Sequence, residues 1–144
     1  MPILRSSIAL GLLVAVLAAG CGDGPPSPES VVRAWSQALN AGDNETAANL
    51  FAPNAEIVQA GTAFHLATHQ SAVAWNASLP CSGQIVSIRT DGETATAIFL
   101  LGDRKTSNCN GPGAKATAAV TVRKGKIVLW HQLEAPPPQP GVVV

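Results

Sequence analysis

The second half of the chain holds the strongest constraint on its fold: four strand-like runs joined in pairs by tight turns. Gln84 to Thr90 leads through Asp91-Gly92 into Glu93 to Leu101, and Ala114 to Arg123 leads through Lys124-Gly125 into Lys126 to Leu133. Asp-Gly is a strong hairpin signal, because a two-residue hairpin turn demands positive φ, which aspartate tolerates and glycine adopts freely. In the third run Ala116, Ala118, Val120 and Val122 alternate with Thr117, Ala119 and Thr121, as expected of a sheet with one packed face. Gly102 to Gly113, between the two hairpins, reads as a polar loop. A sheet of this kind needs a cover for its apolar face, and the first half of the chain supplies it.

Ser27 can cap a helix with Pro28 at its first position, and Gly42 can end it. Val31, Val32, Trp35, Ala38 and Leu39 recur inside at helical spacing and give one apolar face. Asp43 caps a second, shorter helix expected to bury Ala47, Leu50 and Phe51, with Pro53 stopping it. Glu56 to Gln59 reads as a strand turned at Gly61 into a brief partner over Ala63 to His65. Thr68 starts a third helix with Ala72, Trp75 and Leu79 on one side and Pro80 after it. Helices first and a meander afterwards give an α+β domain, with helices on one face of a curved antiparallel sheet.

Residues 1–20 stand apart from this pattern. Arg5 supplies a positive start, and Ile8 to Ala19 is an unbroken apolar run with the form of a signal peptide. It is shorter than the roughly 20 residues that span a bilayer comfortably. Leu17-Ala18-Ala19-Gly20-Cys21 resembles the bacterial lipoprotein signal, in which the cysteine sulfur takes a diacylglycerol and cleavage falls just before it. The resemblance implies a mature chain starting at Cys21, lipid-anchored on the extracytoplasmic face of the cell membrane; the alternative is an ordinary secretory signal with a chance cysteine. Residues 21–27 form a Gly/Pro tether, residues 28–134 the folded domain, and residues 135–144 a Pro-rich tail expected to be extended and unpacked. With Cys21 assigned to lipid, Cys81 and Cys109 remain as a pair in an oxidising compartment. They read as a disulfide, or otherwise as two buried thiols.

Formal net charge is zero and only 12% of residues are charged, so no basic surface is concentrated enough to meet phosphates. With no tyrosine and 4% aromatic residues, base-stacking platforms are scarce too. Nucleic acid is therefore not an expected partner. No zinc spacing, phosphate loop, nucleophile elbow or dinucleotide fingerprint occurs, so no metal or cofactor is expected.

Ala38-Leu39-Asn40-Ala41-Gly42-Asp43, followed by Leu50-Phe51-Ala52-Pro53-Asn54-Ala55, resembles the nuclear-transport-factor-2-like superfamily, which includes ketosteroid isomerases and SnoaL-like polyketide cyclases. The element order matches as well: two helices, a short hairpin, a third helix and four long strands. The resemblance covers about Pro28 to Glu134 and implies a cone, three helices wrapped by a curved sheet, with a pocket at its open end. In the isomerases a tyrosine and a protonated aspartate form the oxyanion hole while a second aspartate shuttles the proton. The motif places Trp35, Ala118 and Gln59, respectively, at those three positions. Indole is a differently placed donor, glutamine has no proton-accepting carboxylate and alanine has neither function.

His65 and His69 are four apart, but His65 precedes the third helix and no carboxylate ligand accompanies them. His131 alternates with Trp130 on the last strand, so one of them faces a cavity; the family alignment turns Trp130 inward. Glu56 alternates away from Ile57 and reads as a solvated charge, and Asp103-Arg104-Lys105 as a solvated loop with a weak surface ion pair. Trp75 reads as core. The expected pocket comprises Trp35, Gln59, Ala118 and Trp130. The expected function is non-catalytic binding of a small apolar ligand or a protein partner, with a homodimer through the sheet face as a further option. The alternative is a SnoaL-like or isomerase-type enzyme whose acid and base have moved, to His131 or His65.

Overall fold

The structure is a computed structural model that describes residues 24–134. The signal segment, Cys21 with the next two residues of its tether, and the Pro-rich tail lie outside the described residues.

Helix α1 (Pro28–Asn40) starts where the cap chemistry dictates: the Ser27 side chain accepts from Ser30 N, and proline sits in the first turn. It buries Val31, Val32, Trp35, Ala38 and Leu39. One polar residue shares that stripe. Buried Ser36 donates to Gly83 O at 2.8 Å, and Asn40 clips the same glycine through both its oxygen and its nitrogen, each at 2.9 Å.

Helix α2 (Asn44–Asn49) is capped by Asp43 and ends at Leu50. Phe51 does not extend it, contrary to the sequence expectation: strand β1 (Phe51–Gln59) begins there and runs through Pro53. Two tertiary contacts override the helical pattern. Ile127 N donates to Leu50 O at 2.8 Å, and the Phe51 ring packs edge-on against Trp75 at 5.6 Å. Pro53 is tolerated because the register of β1 is interrupted between Phe51 and Glu56, so no ladder bond falls on it.

Strand β2 (Thr62–Leu66) pairs back on β1, and α3 (His69–Ser78) follows with a full capping box between Thr68 and Ser71. Strands β3 (Cys81–Asp91), β4 (Thr94–Asp103), β5 (Lys115–Arg123) and β6 (Lys126–Leu133) form the meander. At the first of its hairpins only Gly92 has positive φ, so the turn residues are Gly92-Glu93 rather than Asp91-Gly92; at the second, Lys124 and Gly125 both do.

The six strands lie in the order β2-β1-β6-β5-β4-β3. Every neighbouring pair is antiparallel except β1 and β6, which run parallel with Ile57 opposite Trp130. The expected all-antiparallel sheet is therefore corrected at one seam, where the chain's last strand returns beside its first. The element order is the expected one, with α3 after the β1–β2 hairpin and before the meander. Register shifts in β3–β4 and β5–β6 add a residue to one strand of each pair, a device that bends and twists a sheet. Ile57, Ile127, Val32 and Val120 are the largest fully buried apolar side chains, all between helices and sheet. Each contributes about 1.5–3 kcal/mol on removal from water.

Candidate functional site

Three tryptophans from three elements meet at one end of the core: Trp35 from α1, Trp75 from α3 and Trp130 from β6. Ring centroids are 6.4 Å apart for Trp35–Trp75, 5.9 Å for Trp35–Trp130 and 5.1 Å for Trp75–Trp130, and Phe99 from β4 lies edge-on to Trp35 at 6.0 Å. Beside this cluster opens a cleft of about 240 Å³. Trp35, Phe99 and Trp130 form its aromatic wall, Leu39, Leu79 and Leu101 its aliphatic wall. Its polar side chains are Ser36, Gln59, Asn110 and Gln132; none of its lining residues is charged and none is histidine. A second space of about 390 Å³ shares Leu101, Ala116 and Gln132 with it and reaches Lys115 and Glu134, so charge enters only beyond the cleft.

Gly83 sets the shape of the back wall. A Cβ there would stand 2.9 Å from Phe99 Cδ1, so glycine is what allows the phenyl ring to lie against β3 while α1 is clipped to the same backbone. The Cys81–Cys109 disulfide forms as expected, and Cys81 and Asn110 place it at the cleft's margin. Asp103 holds the same loop by accepting from Cys109 N at 2.8 Å.

Of the residues expected at the pocket, Trp35, Gln59 and Trp130 line it and Ala118 does not. Ala118 is buried under the helices, and its place at the cleft is taken by Ala116. The two alanines share the inward face of β5, so a sequence match of the last hairpin falls one inward position too deep. Trp75 is core, and its indole donates to Gln59 Oε1 at 3.3 Å.

The histidines lie elsewhere. His131 is half-buried on the sheet face opposite Trp130, His65 is exposed on β2 across from Glu56, and His69 Nε2 sits 2.7 Å from Glu45 Oε2 at the surface. Among the described residues no three metal-ligating side chains cluster. Glu56 is half-buried and alternates away from Ile57.

Arg104 overturns its expected place in a solvated loop. It is only 5% exposed and makes no ion pair among the described residues. Nη1 donates to Asn76 O at 2.7 Å and Leu79 O at 3.0 Å, and Nη2 donates to Asn44 Oδ1 at 2.6 Å. Burial pushes the guanidinium pKa down from its ordinary value. Its partners lie 25 to 60 residues away in sequence, and no local pattern announces them. Asn76 completes the network: fully buried, it accepts from Trp35 Nε1 at 2.8 Å and donates to Ala72 O. The end of α3 that carries Leu79 to the cleft is thereby fixed from two sides.

Six strands curving over three helices, with an apolar cleft at one end, define the nuclear-transport-factor-2-like fold. Residues 32–130 match the SnoaL-like domain, and the chain belongs to that family. No curated protein matches the chain. Among solved structures it is similar to a candidate polyketide cyclase from Sinorhizobium meliloti (17% identity, 72% of this chain and 94% of that one, TM-score 0.61). It is also similar to a nuclear-transport-factor-2-like protein of unknown function from Cytophaga hutchinsonii (14%, 81% and 97%, 0.64). A third is a hypothetical protein with a ketosteroid-isomerase-like fold from Catenulispora acidiphila, in complex with trimethylamine (17%, 76% and 88%, 0.58). At these identities the likeness shows the fold alone.

Proposed function

We propose that this chain is a lipid-anchored, extracytoplasmic binding protein whose SnoaL-like domain holds a small apolar molecule without turning it over. The observation that carries the reading is the make-up of the cleft: apolar walls, a few amide and hydroxyl groups, and no histidine or carboxylate among its lining residues. The resemblance puts Trp35 and Gln59 at positions the isomerases use for chemistry, Ala116 takes the cleft position expected of Ala118, and none of the three is a general acid or base at neutral pH. His65 and His131, the two candidates for relocated chemistry, lie away from the cleft. Two fold neighbours are called polyketide cyclase and ketosteroid-isomerase-like, names consistent with a fold that houses small organic molecules, although one fold hosts many activities.

The anchoring half of the proposal rests on Leu17 to Cys21; Cys21→Ser is expected to release the protein from membranes, and continued membrane retention would overturn it. Pairing of two copies through the outward sheet face, around Thr117 and Ala119, belongs to the same proposal, and sedimentation of Ala119→Lys against wild type tests it. For the cleft itself the test is Ala116→Phe, which adds a ring from a half-buried lining position and removes no core side chain. Titrated with the apolar dye 1-aminoanthracene, full-length wild type is expected to bind and Ala116→Phe to lose at least tenfold in affinity. Equal binding by the two would contradict the cleft as the site.

A further inference from the structure

The chain enters the folded domain at a fixed point, and that point is far from the cleft. Ser27 caps α1, and Pro26 lies against the β5–β6 turn so closely that a Cβ on Gly125 would stand 2.9 Å from Pro26 Cδ. Strand β5 runs from the cleft to that turn, with Ala116 lining the cleft and Arg123 at the turn. At about 3.3 Å per residue the two are roughly 23 Å apart. Helix α1 has the same polarity: it starts beside the turn and reaches the cleft with Trp35, Ser36 and Leu39.

The reach of the tether follows from its length, taking the lipid anchor proposed at Cys21 as given. Pro26 is five residues on from Cys21, and five residues span at most about 18 Å when fully extended. The diacylglycerol would lie beneath the headgroups, a layer about 5–7 Å thick that takes up the length the cysteine side chain adds. Pro26 is thereby kept within about 18 Å of the headgroup surface. With the cleft mouth turned to the bilayer it would stand roughly 23 Å above that surface, beyond the tether.

The side chains at the turn end suit a lipid surface. Lys124 and Lys126 are exposed, and neither meets a carboxylate among the described residues. Arg123 is paired with Glu93, and Asp91 stands two strands from β5. A lysine is a compact cation that pairs with phosphate as a point charge.

We propose that the β5–β6 turn end of the domain stands on the bilayer that holds Cys21, with Lys124 and Lys126 toward the phosphate headgroups and the cleft opening away from the membrane. The cleft then exchanges its contents with the extracytoplasmic water phase and not with the lipid beneath it.

The test uses the full-length acylated protein in vesicles of phosphatidylcholine and phosphatidylglycerol that also contain a lipid with a nitroxide on its headgroup. A bimane fluorophore is attached to one added cysteine: Arg123→Cys at the turn end, or Thr62→Cys at the cleft end, where Thr62 pairs with the cleft residue Gln59. With Cys21 acylated and Cys81 paired with Cys109, the added cysteine is the thiol that reacts. Both positions are exposed, and Arg123→Cys gives up only a surface ion pair with Glu93. Headgroup nitroxides quench at short range. The Arg123→Cys label is expected to be quenched about threefold more than the Thr62→Cys label, which stands about a strand's length higher. Equal quenching of the two, or stronger quenching at Thr62→Cys, overturns the orientation and leaves the anchor standing. Protein that does not float with the vesicles overturns the anchor and the orientation together.

Discussion

Replacing Arg104 with methionine removes a buried cation and three donated hydrogen bonds while keeping much of the side-chain length. The Asn76 carbonyl lies in the interior and loses its charged donor; the Leu79 carbonyl and Asn44 Oδ1 are part-buried and can recruit water. The Asn76 carbonyl keeps only a long bond from Leu79 N at 3.4 Å, and each bond to a charged donor contributes about 1.5–3 kcal/mol before hydration returns part of it. Relief from burying the charge offsets some of this, leaving a net loss of about 3 kcal/mol. For a domain of this size that is a fall in Tm of roughly 12 °C. Urea unfolding followed by tryptophan fluorescence measures it, with Lys105→Met as the control, because Lys105 is exposed one position away. Arg104→Lys keeps the charge but not the fork geometry, and its stability is expected to fall between those of wild type and Arg104→Met. A loss below about 1 kcal/mol for Arg104→Met, or one matched by Lys105→Met, would refute the argument that this arginine fastens α2, α3 and the β4–β5 loop together.

Gly83→Ala forces a Cβ to within 2.9–3.2 Å of Phe99; overpacking of this kind costs about 1–3 kcal/mol, and thermal unfolding is expected to show it together with weaker 1-aminoanthracene binding. The Cys81→Ser/Cys109→Ser double variant opens a 28-residue separation and is expected to lose about 3.5 kcal/mol by loop entropy, read from urea midpoints with and without reductant. Asp43 accepts from Thr46 Oγ1 and then from Thr46 N, and these bonds hold its carboxyl below the ordinary value. A depressed carboxylate stabilises the fold above its unfolded-state pKa and loses that contribution as pH falls through the folded value. Asp43→Asn is therefore expected to flatten the acid limb of the stability profile below about pH 4. An unchanged acid limb would contradict it.

Legibility in the sequence follows the range of the interaction. Ser27, Asp43 and Thr68 announce three helix starts because a cap acts on backbone groups two or three residues away. Alternation in β5 announces an inward face for the same reason, and the even pair Cys81 and Cys109 announces the disulfide. Phe51 reads as helix in its local pattern because Trp75, 24 positions on, decides its conformation. The parallel seam between β1 and β6 joins strands that are first and last in the chain and leaves no local trace. Arg104 sits in a run that has the composition of a solvated loop, and only its distant carbonyl partners draw it inside. At the cleft, Trp35, Gln59 and Trp130 are readable as residue types suited to an apolar site, whereas the choice of Ala116 over Ala118 depends on a register the sequence does not state.

The central claim is that the cleft beside the three tryptophans holds a small apolar ligand. Native mass spectrometry of the full-length protein, extracted gently from its own membranes, tests it most directly. The account predicts a reproducible extra mass of small-molecule size beyond any acyl groups, lost on gentle activation and absent from Ala116→Phe. An extra mass retained in full by Ala116→Phe, or a wild-type protein that carries none and takes up no 1-aminoanthracene, would contradict it.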